Sequence, residues 1–471
     1  MMGRIGNVGK LQVATGSQWH DHTLFTANPK AHRVADELIS NLAHLYRRAG
    51  FGAPLDRLKQ LAPAGYDAAV EELVSGSATD PAADAIPRPS LVITAASSET
   101  ETLEERKARN QMRAAQRREI ALWWMDRMVA TSVPLKEKLT FFWHGHFATS
   151  VEKVNEAAFM LSQNEIFRSL GAGRFEVLAQ AVAKDPAMMI WLDSNQNKKG
   201  SPNENFAREL MELFTIGIGS YSDTDVREAA RAFTGWRINR KTGEFSLLKG
   251  QHDVGQKAVL GRVGAYGGEE VITLLATHPA AARFVASKLW SRFAFPVTPD
   301  DPIVSDLVVG FAADGDISAL MRSILRHPEF VSKRAKQGLV KQPIEWMIGA
   351  LKALNLSSFS NGPTRPQILL NALRDLNQVP FAPPSVGGWP QNGYWVSTAT
   401  AHARLATAAT LSRSANLSWL SGVPSGQRID VLASQLGLDG WTSSTTNALA
   451  KANDPKSQVA IALVSPEYVL N

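Results

Sequence analysis

Histidine, carboxylate and carboxamide side chains recur at close spacing in three places along this chain of 471 residues. The first is Phe141-Phe142-Trp143-His144-Gly145-His146-Phe147. Imidazoles so placed can ligate a divalent ion or exchange protons. If a helix runs through Gly145, His146 shares an inward stripe with Leu135, Leu139 and Phe142, while His144 faces ~200° away and the two cannot chelate one ion. If Gly145 ends the helix, both rings converge at its C-terminus, where protonated histidine is favoured. The second place is the polar stretch from Asp185 to Trp236, which gathers Asp193, Asn195, Asn197, Asn203 and Asn205 and then opens a helix carrying Glu209 and Glu212 on one face. Two carboxylates three residues apart can hold a cation or share a proton; the alternative is a solvated face with an Arg208–Glu212 pair. The third is His252-Asp253 within the loop Gln251 to Lys257, which either contributes to a site or ties its own loop.

Taken together, these residue types predict a metal-dependent enzyme, most simply a hydrolase. His144, His146 and His252 are the expected metal ligands, and Glu209, Glu212, Asp193 and Asn205 the catalytic set, with Asn203 shaping the loop. Imidazole and carboxylate ligands suit zinc, manganese or iron, and an ion so held activates water. Iron on the same ligands gives a redox alternative. A reading from another class is a non-catalytic scaffold that docks a partner through the basic run Arg106, Lys107, Arg109, Arg113, Arg117 and Arg118. Trp19-His20-Asp21-His22 reads as a solvated arm.

The elements that must position these groups are helical. Leu38, Leu42, Leu45 and Tyr46 share a face, and shorter helices follow at about 55–61 and 65–74. Ser75 to Pro89 is rich in Ser, Ala, Pro and Asp, and the stretch 75–97 reads as a linker-like loop. Thr102 and Glu105 have capping-box spacing, opening a helix to about Ala130 that turns apolar at Trp123-Trp124. Pro134 suits the first turn of the next helix. Pro202 starts the helix bearing Glu209, whose apolar stripe is Phe206, Leu210, Leu213 and Phe214, and Gly217 ends it. The period then changes. Trp236 to Asn239, Glu244 to Leu248 and Lys257 to Leu260 read as short strands, with Lys241-Thr242-Gly243 as a turn. Helices resume over Ala281 to Phe293, with a basic edge of Arg283, Lys288 and Arg292, and continue to the C-terminus. Pro383-Pro384-Ser385-Val386-Gly387-Gly388-Trp389-Pro390 is a rigid aromatic loop able to wall a ligand cleft or pin itself to the core. The expected fold is mainly α, a large multi-helix globular fold with one small antiparallel β insertion near 236–262. Its organisation is a polar arm over 1–35, a helical core over 36–420 and a C-terminal helical segment over 421–471.

Composition removes several classes. The chain has no cysteine, which excludes disulfides, zinc-thiolate sites, iron–sulfur clusters and cysteine nucleophiles. Fifty Lys and Arg against 44 Asp and Glu give +6, a mild bias over this length and no nucleic-acid footprint. No apolar run is long enough to span a membrane. Met1 to Asn28 shows no apolar segment after a basic start, so the sequence predicts a cytoplasmic location. Phosphate loops, dinucleotide fingerprints, nucleophile elbows and His-Glu-x-x-His are all missing.

Seven segments in order resemble a bacterial family known as domain-of-unknown-function family 1800 (DUF1800). They are His44 to Gly52, Phe142 to Phe147, Asn203 to Gly217, Asp225 to Trp236, His252 to Lys257, Lys341 to Glu345 and Pro383 to Trp389. The resemblance implies a mainly helical fold and no established activity. It also implies export and a companion protein resembling sulfatases and alkaline phosphatases. Export is at odds with the missing signal.

Overall fold

The computed structural model describes residues 29–76, 79–94, 101–311, 314–357 and 366–470, with side chains from residue 36 onward. The Trp19 to His22 segment lies outside the described residues. The chain is mainly α-helical, with two small two-stranded antiparallel sheets. In the first, Trp236–Ile238 pairs with Phe245–Leu247; in the second, Lys257–Val259 pairs with Arg262–Gly264. The expected single insertion is thus two hairpins, and the strand Arg262–Gly264 has no counterpart in the sequence reading.

The helix Leu103–Ala130 begins with the predicted capping box: Glu105 N–H donates to Thr102 Oγ1 at 3.2 Å and Thr102 N–H to the Glu105 carboxylate at 2.8 Å. Its first half is exposed and its second half buries Ile120, Trp123, Trp124, Met125 and Met128. Its arginines are largely committed. Arg109 pairs with Glu101 at 2.7 Å, Arg113 with Glu156 at 2.8 Å and Arg117 with Glu152 at 3.2 Å. That leaves little of the basic run to recruit a partner.

Two hydrophobic cores lie on either side of the helix Pro134–His146, which starts with proline in its first turn as predicted. Leu135, Leu139, Phe142 and Trp143 enter the first core, with the helices Asn205–Glu209, Asp223–Ala232 and Pro279–Phe293. Phe141 enters the second, with Pro343–Ala353, Pro366–Asp375, Thr398–Ser414 and the C-terminal helix Pro455–Val464. The C-terminal helices are built into this core: Trp346 Nε1 donates to the Leu463 carbonyl at 2.7 Å.

A helix between two cores has no solvent face for its polar residues. Glu137, Lys138, His144 and His146 are all buried, so each needs a partner within the protein. Glu137 accepts from Arg168 Nε at 2.7 Å and from Trp124 Nε1 at 2.9 Å, with Arg127 at 3.5 Å. Burial alone would raise this carboxyl; the Arg168 guanidinium overcomes that and holds it below the usual range. Lys138 pairs with Glu345. Removing one member of a buried pair strands the other, at about 3–5 kcal/mol. Arg168→Met should therefore destabilise the chain by about 3 kcal/mol, at the low end because Arg127 stays near Glu137. Chemical denaturation checks this, and a loss under about 1 kcal/mol would show the pair to be dispensable.

Candidate functional site

The helix Pro134–His146 continues through Gly145, and Phe147 N–H donates to the Trp143 carbonyl at 2.8 Å. The two histidines therefore face apart. His144 Nε2 accepts from Phe381 N–H at 3.0 Å, in a box of Trp124, Phe167, Phe381 and Trp389 rings. Phe381 has φ +66, a conformation uncommon for a non-glycine residue, so the His144 bond fixes a strained corner of the chain. His146 turns the other way. Its Nε2 lies 2.9 Å from the Phe214 carbonyl oxygen, which can only accept, so Nε2 carries the proton and Nδ1 keeps the lone pair.

The helix predicted to run unbroken from Pro202 is in fact two pieces. Asn205–Glu209 is α-helical and Leu210–Thr215 is a π turn, in which Ile216 N–H reaches back five residues to the Met211 carbonyl at 3.1 Å. Thr215 Oγ1 donates to the Leu210 carbonyl at 2.5 Å, and Gly217 N–H also reaches Met211. Such turns are rare and cluster at functional sites. Here the turn presents the Phe214 carbonyl to His146.

The rigid loop closes the third side. Gly388 has φ +77, and a Cβ there would lie 2.2 Å from the Gly145 carbonyl oxygen. Only glycine allows this approach, which seats Trp389 against Phe141 (ring centroids 6.0 Å apart) and His144 (5.3 Å). The three segments line an open cleft. Phe141, Phe142 and Trp389 wall it, His146 and Leu213 line it, and Lys288, Arg292, Gln342 and Gln391 supply its polar groups. Among the described residues, no carboxylate lines it. Arg292 is gripped from behind by both oxygens of Glu345 at 3.1 Å and sits over the Phe141 ring at 5.2 Å. Gln342 Oε1 accepts from Gln378 Nε2 at 2.7 Å, which leaves its own NH2 as a donor. Lys288 is exposed at the mouth; its pKa is nonetheless lowered by the protein packed around it.

The other predicted site residues lie apart from this cleft. Asp193, at φ 56, pairs with Lys153 at 2.8 Å. The Asn197 side chain is spent on backbone, donating to the Ala230 carbonyl at 2.8 Å and accepting from Asn203 N–H at 2.9 Å. Asn203 in turn accepts from Asn205 N–H at 2.9 Å, and Asn205 itself is exposed. His252 Nδ1 donates to the Thr234 carbonyl at 2.8 Å beside an Arg231–Asp253 ion pair, the loop-tying alternative. Glu209 and Glu212 do act on one another. Partial burial raises the Glu209 carboxyl and the Glu212 charge raises it further, while Glu212 accepts from Tyr221 at 2.8 Å. Arg208 pairs with Glu204 and Asp223, both at 3.1 Å, instead of with Glu212. Among the described residues, no three His, Asp or Glu side chains are grouped as they would be around an ion. The expected ligand set His144, His146 and His252 is thus not assembled: the first two face apart on one helix, and each of the three holds a backbone group. Lys288, Arg292 and Gln342 were missed as site residues. Their only sequence signals were a basic helix edge and a place within the Lys341 to Glu345 segment.

Burial pushes both His144 and His146 down to about 3, His146 with added repulsion from Lys288 and a smaller opposing pull from Phe214. Both stay neutral in the folded chain where the unfolded chain protonates, below about 6.5. Their contribution to stability is therefore complete above about pH 6.5 and is lost as pH falls toward 3. Asp185, which burial raises to about 7, acts with the opposite sign. His146→Gln keeps a donor for Phe214 and removes one such proton. Denaturation between pH 5 and 6.5 should show a dependence shallower by up to ~1.4 kcal/mol per pH unit. An unchanged dependence would mean that the folded chain protonates His146 as readily as the unfolded one.

The chain matches the model of the family described as "Protein of unknown function (DUF1800)" over residues 44–470, nearly its whole length, and it belongs to that family. No curated protein and no solved structure matches it. No helix among the described residues is long and apolar enough to cross a membrane.

Proposed function

We propose that the chain recognises an anionic small molecule with a flat apolar body, bound in the cleft between His146, Lys288 and Trp389. One observation carries this reading. The cleft is lined by two cations and a free amide donor, contains no carboxylate among the described residues, and is walled by three aromatic rings. An anionic group meets Lys288 and Arg292, with the Gln342 NH2 as a further donor. The apolar body packs between Phe142 and Trp389, where aromatic burial adds to affinity. His146, held neutral as the Nε2–H tautomer, offers Nδ1 as a hydrogen-bond acceptor for a hydroxyl or water on the ligand.

Recognition of an anion fits this cleft better than metal-dependent hydrolysis or iron redox chemistry through His144, His146 and His252. Those rings already hold backbone groups on separate surfaces.

The test is calorimetric titration of the full-length chain with aromatic carboxylates and phenyl phosphate beside benzyl alcohol as a neutral control. At least one aromatic anion should bind, the neutral control at least tenfold more weakly. Lys288→Gln should weaken that binding by about tenfold, the worth of one charge-assisted hydrogen bond. Binding unaffected by Lys288→Gln, or equal binding of the neutral control, would contradict the proposal.

A further inference from the structure

Behind the cleft, Glu345 is a buried carboxylate in a crowd of buried cations. It pairs with Lys138 and Arg292, and burial, which would raise its carboxyl, is overcome by those two charges, leaving it well below the usual range. Arg47, Arg48 and Lys341 are buried close by. Gln342 lines the cleft, whereas its neighbour Lys341 lines a separate, smaller cavity. That cavity is bounded by Arg47, Lys341 and Lys352, by Gln435, and by the ring of Tyr468.

None of the three cations lining this cavity is ion-paired with a carboxylate among the described residues. Arg47 donates to the Gly437 carbonyl and Lys352 to the Thr131 carbonyl at 3.1 Å. Lys341 is only 6% exposed, and its ammonium lies 3.6 Å from the centre of the Tyr468 ring. Carbonyls and a ring face solvate cations without neutralising them. Asp439, Glu345 and Asp80 act on Arg47, Lys341 and Lys352 respectively, but from beyond ion-pair distance, so an anion in the cavity would be the first counter-charge in direct contact with all three. Gln435 donates its NH2 to the Ala353 carbonyl at 2.7 Å. Gly52, at φ +94, has open space where a Cβ would be, so the cavity wall is bare backbone there.

We infer that this cavity is a second site, for a small tetrahedral oxyanion such as phosphate or a phosphate monoester, held by Arg47, Lys341 and Lys352. Arginine and lysine together give a planar fork and a point charge, a pairing suited to phosphate oxygens. The site is separate from the anion cleft: it uses none of the same side chains, and the Lys341–Gln342 backbone runs between them.

The test is thermal and calorimetric titration of the full chain with inorganic phosphate and with glycerol 3-phosphate, at ionic strength matched with sodium chloride. One or both should raise the unfolding midpoint where chloride does not. Lys341→Met, which keeps the stem over Tyr468, should weaken binding at least tenfold, and Lys341→Arg should restore most of it. Should Lys341→Met not fold, the decision passes to the half-buried Lys352→Gln, expected to weaken binding by about tenfold. Lys288→Gln should leave the phosphate response intact. The inference is overturned if neither oxyanion stabilises the wild-type chain beyond chloride. It is equally overturned if Lys352→Gln binds as well as wild type, or if Lys288→Gln alone abolishes the response, which would assign the phosphate to the cleft.

Discussion

One hydrogen bond, from His146 Nε2 to the Phe214 carbonyl, joins the two segments that carry the most chemistry in this chain. It exists because Leu210–Thr215 is wound as a π turn. A carbonyl near the end of a helix lacks an intrahelical partner in any case, and the π turn aims this one at an imidazole from a helix nearly seventy residues earlier. Both groups are buried, so each would be costly without the other. The same bond selects the histidine tautomer, and burial, against the pull of that carbonyl, keeps the ring neutral, so that it meets the cleft as an acceptor.

The rest of the site follows from the position of the helix Pro134–His146 between two cores. Four buried titratable side chains on thirteen residues each bind a different partner: Arg168, Glu345, the Phe381 backbone and the Phe214 backbone. Opposite faces of one helix thereby fix the π turn on one side and the loop bearing Trp389 on the other. His144 is in this sense a positioning residue, because it holds the strained corner at Phe381 from which the aromatic loop departs. The cleft is where those two commitments meet. Glu345 extends the arrangement by orienting Arg292 toward the cleft while pairing with Lys138.

Much of this was legible in the sequence wherever the signal was local. The Thr102–Glu105 capping box, the Pro134 start and three of the four strands follow from spacing and composition, whereas the helix expected from Pro202 begins only at Asn205. The fourth strand, Arg262–Gly264, is three largely exposed residues ending in glycine, with no alternation to read. The site was legible by segment more than by residue. His146, the Pro202 to Gly217 helix and the Trp389 loop were all singled out and do meet. The Asn-rich loop was read as functional, but Asn197 and Asn203 satisfy backbone groups, a use of asparagine that composition alone does not separate from ligand binding. Lys288, Arg292 and Gln342 were missed because their convergence is purely tertiary. The π turn was missed for a similar reason: the Phe206, Leu210, Phe214 stripe is what an ordinary helix requires, and only the bond to His146 distinguishes the two.

The most direct test of this account is nitrogen-resolved NMR of the imidazole rings in the histidine-labelled full-length chain, followed from about pH 8 to pH 5, with His146 assigned by the signal lost in His146→Gln. The account predicts a proton on Nε2, a bare Nδ1 and no titration over that range, since burial holds the ring near 3. A proton on Nδ1 would contradict it, because the Phe214 carbonyl would then not be the group that fixes His146 in the cleft, and a midpoint near 6.5 would contradict it, because burial would then not hold the ring neutral.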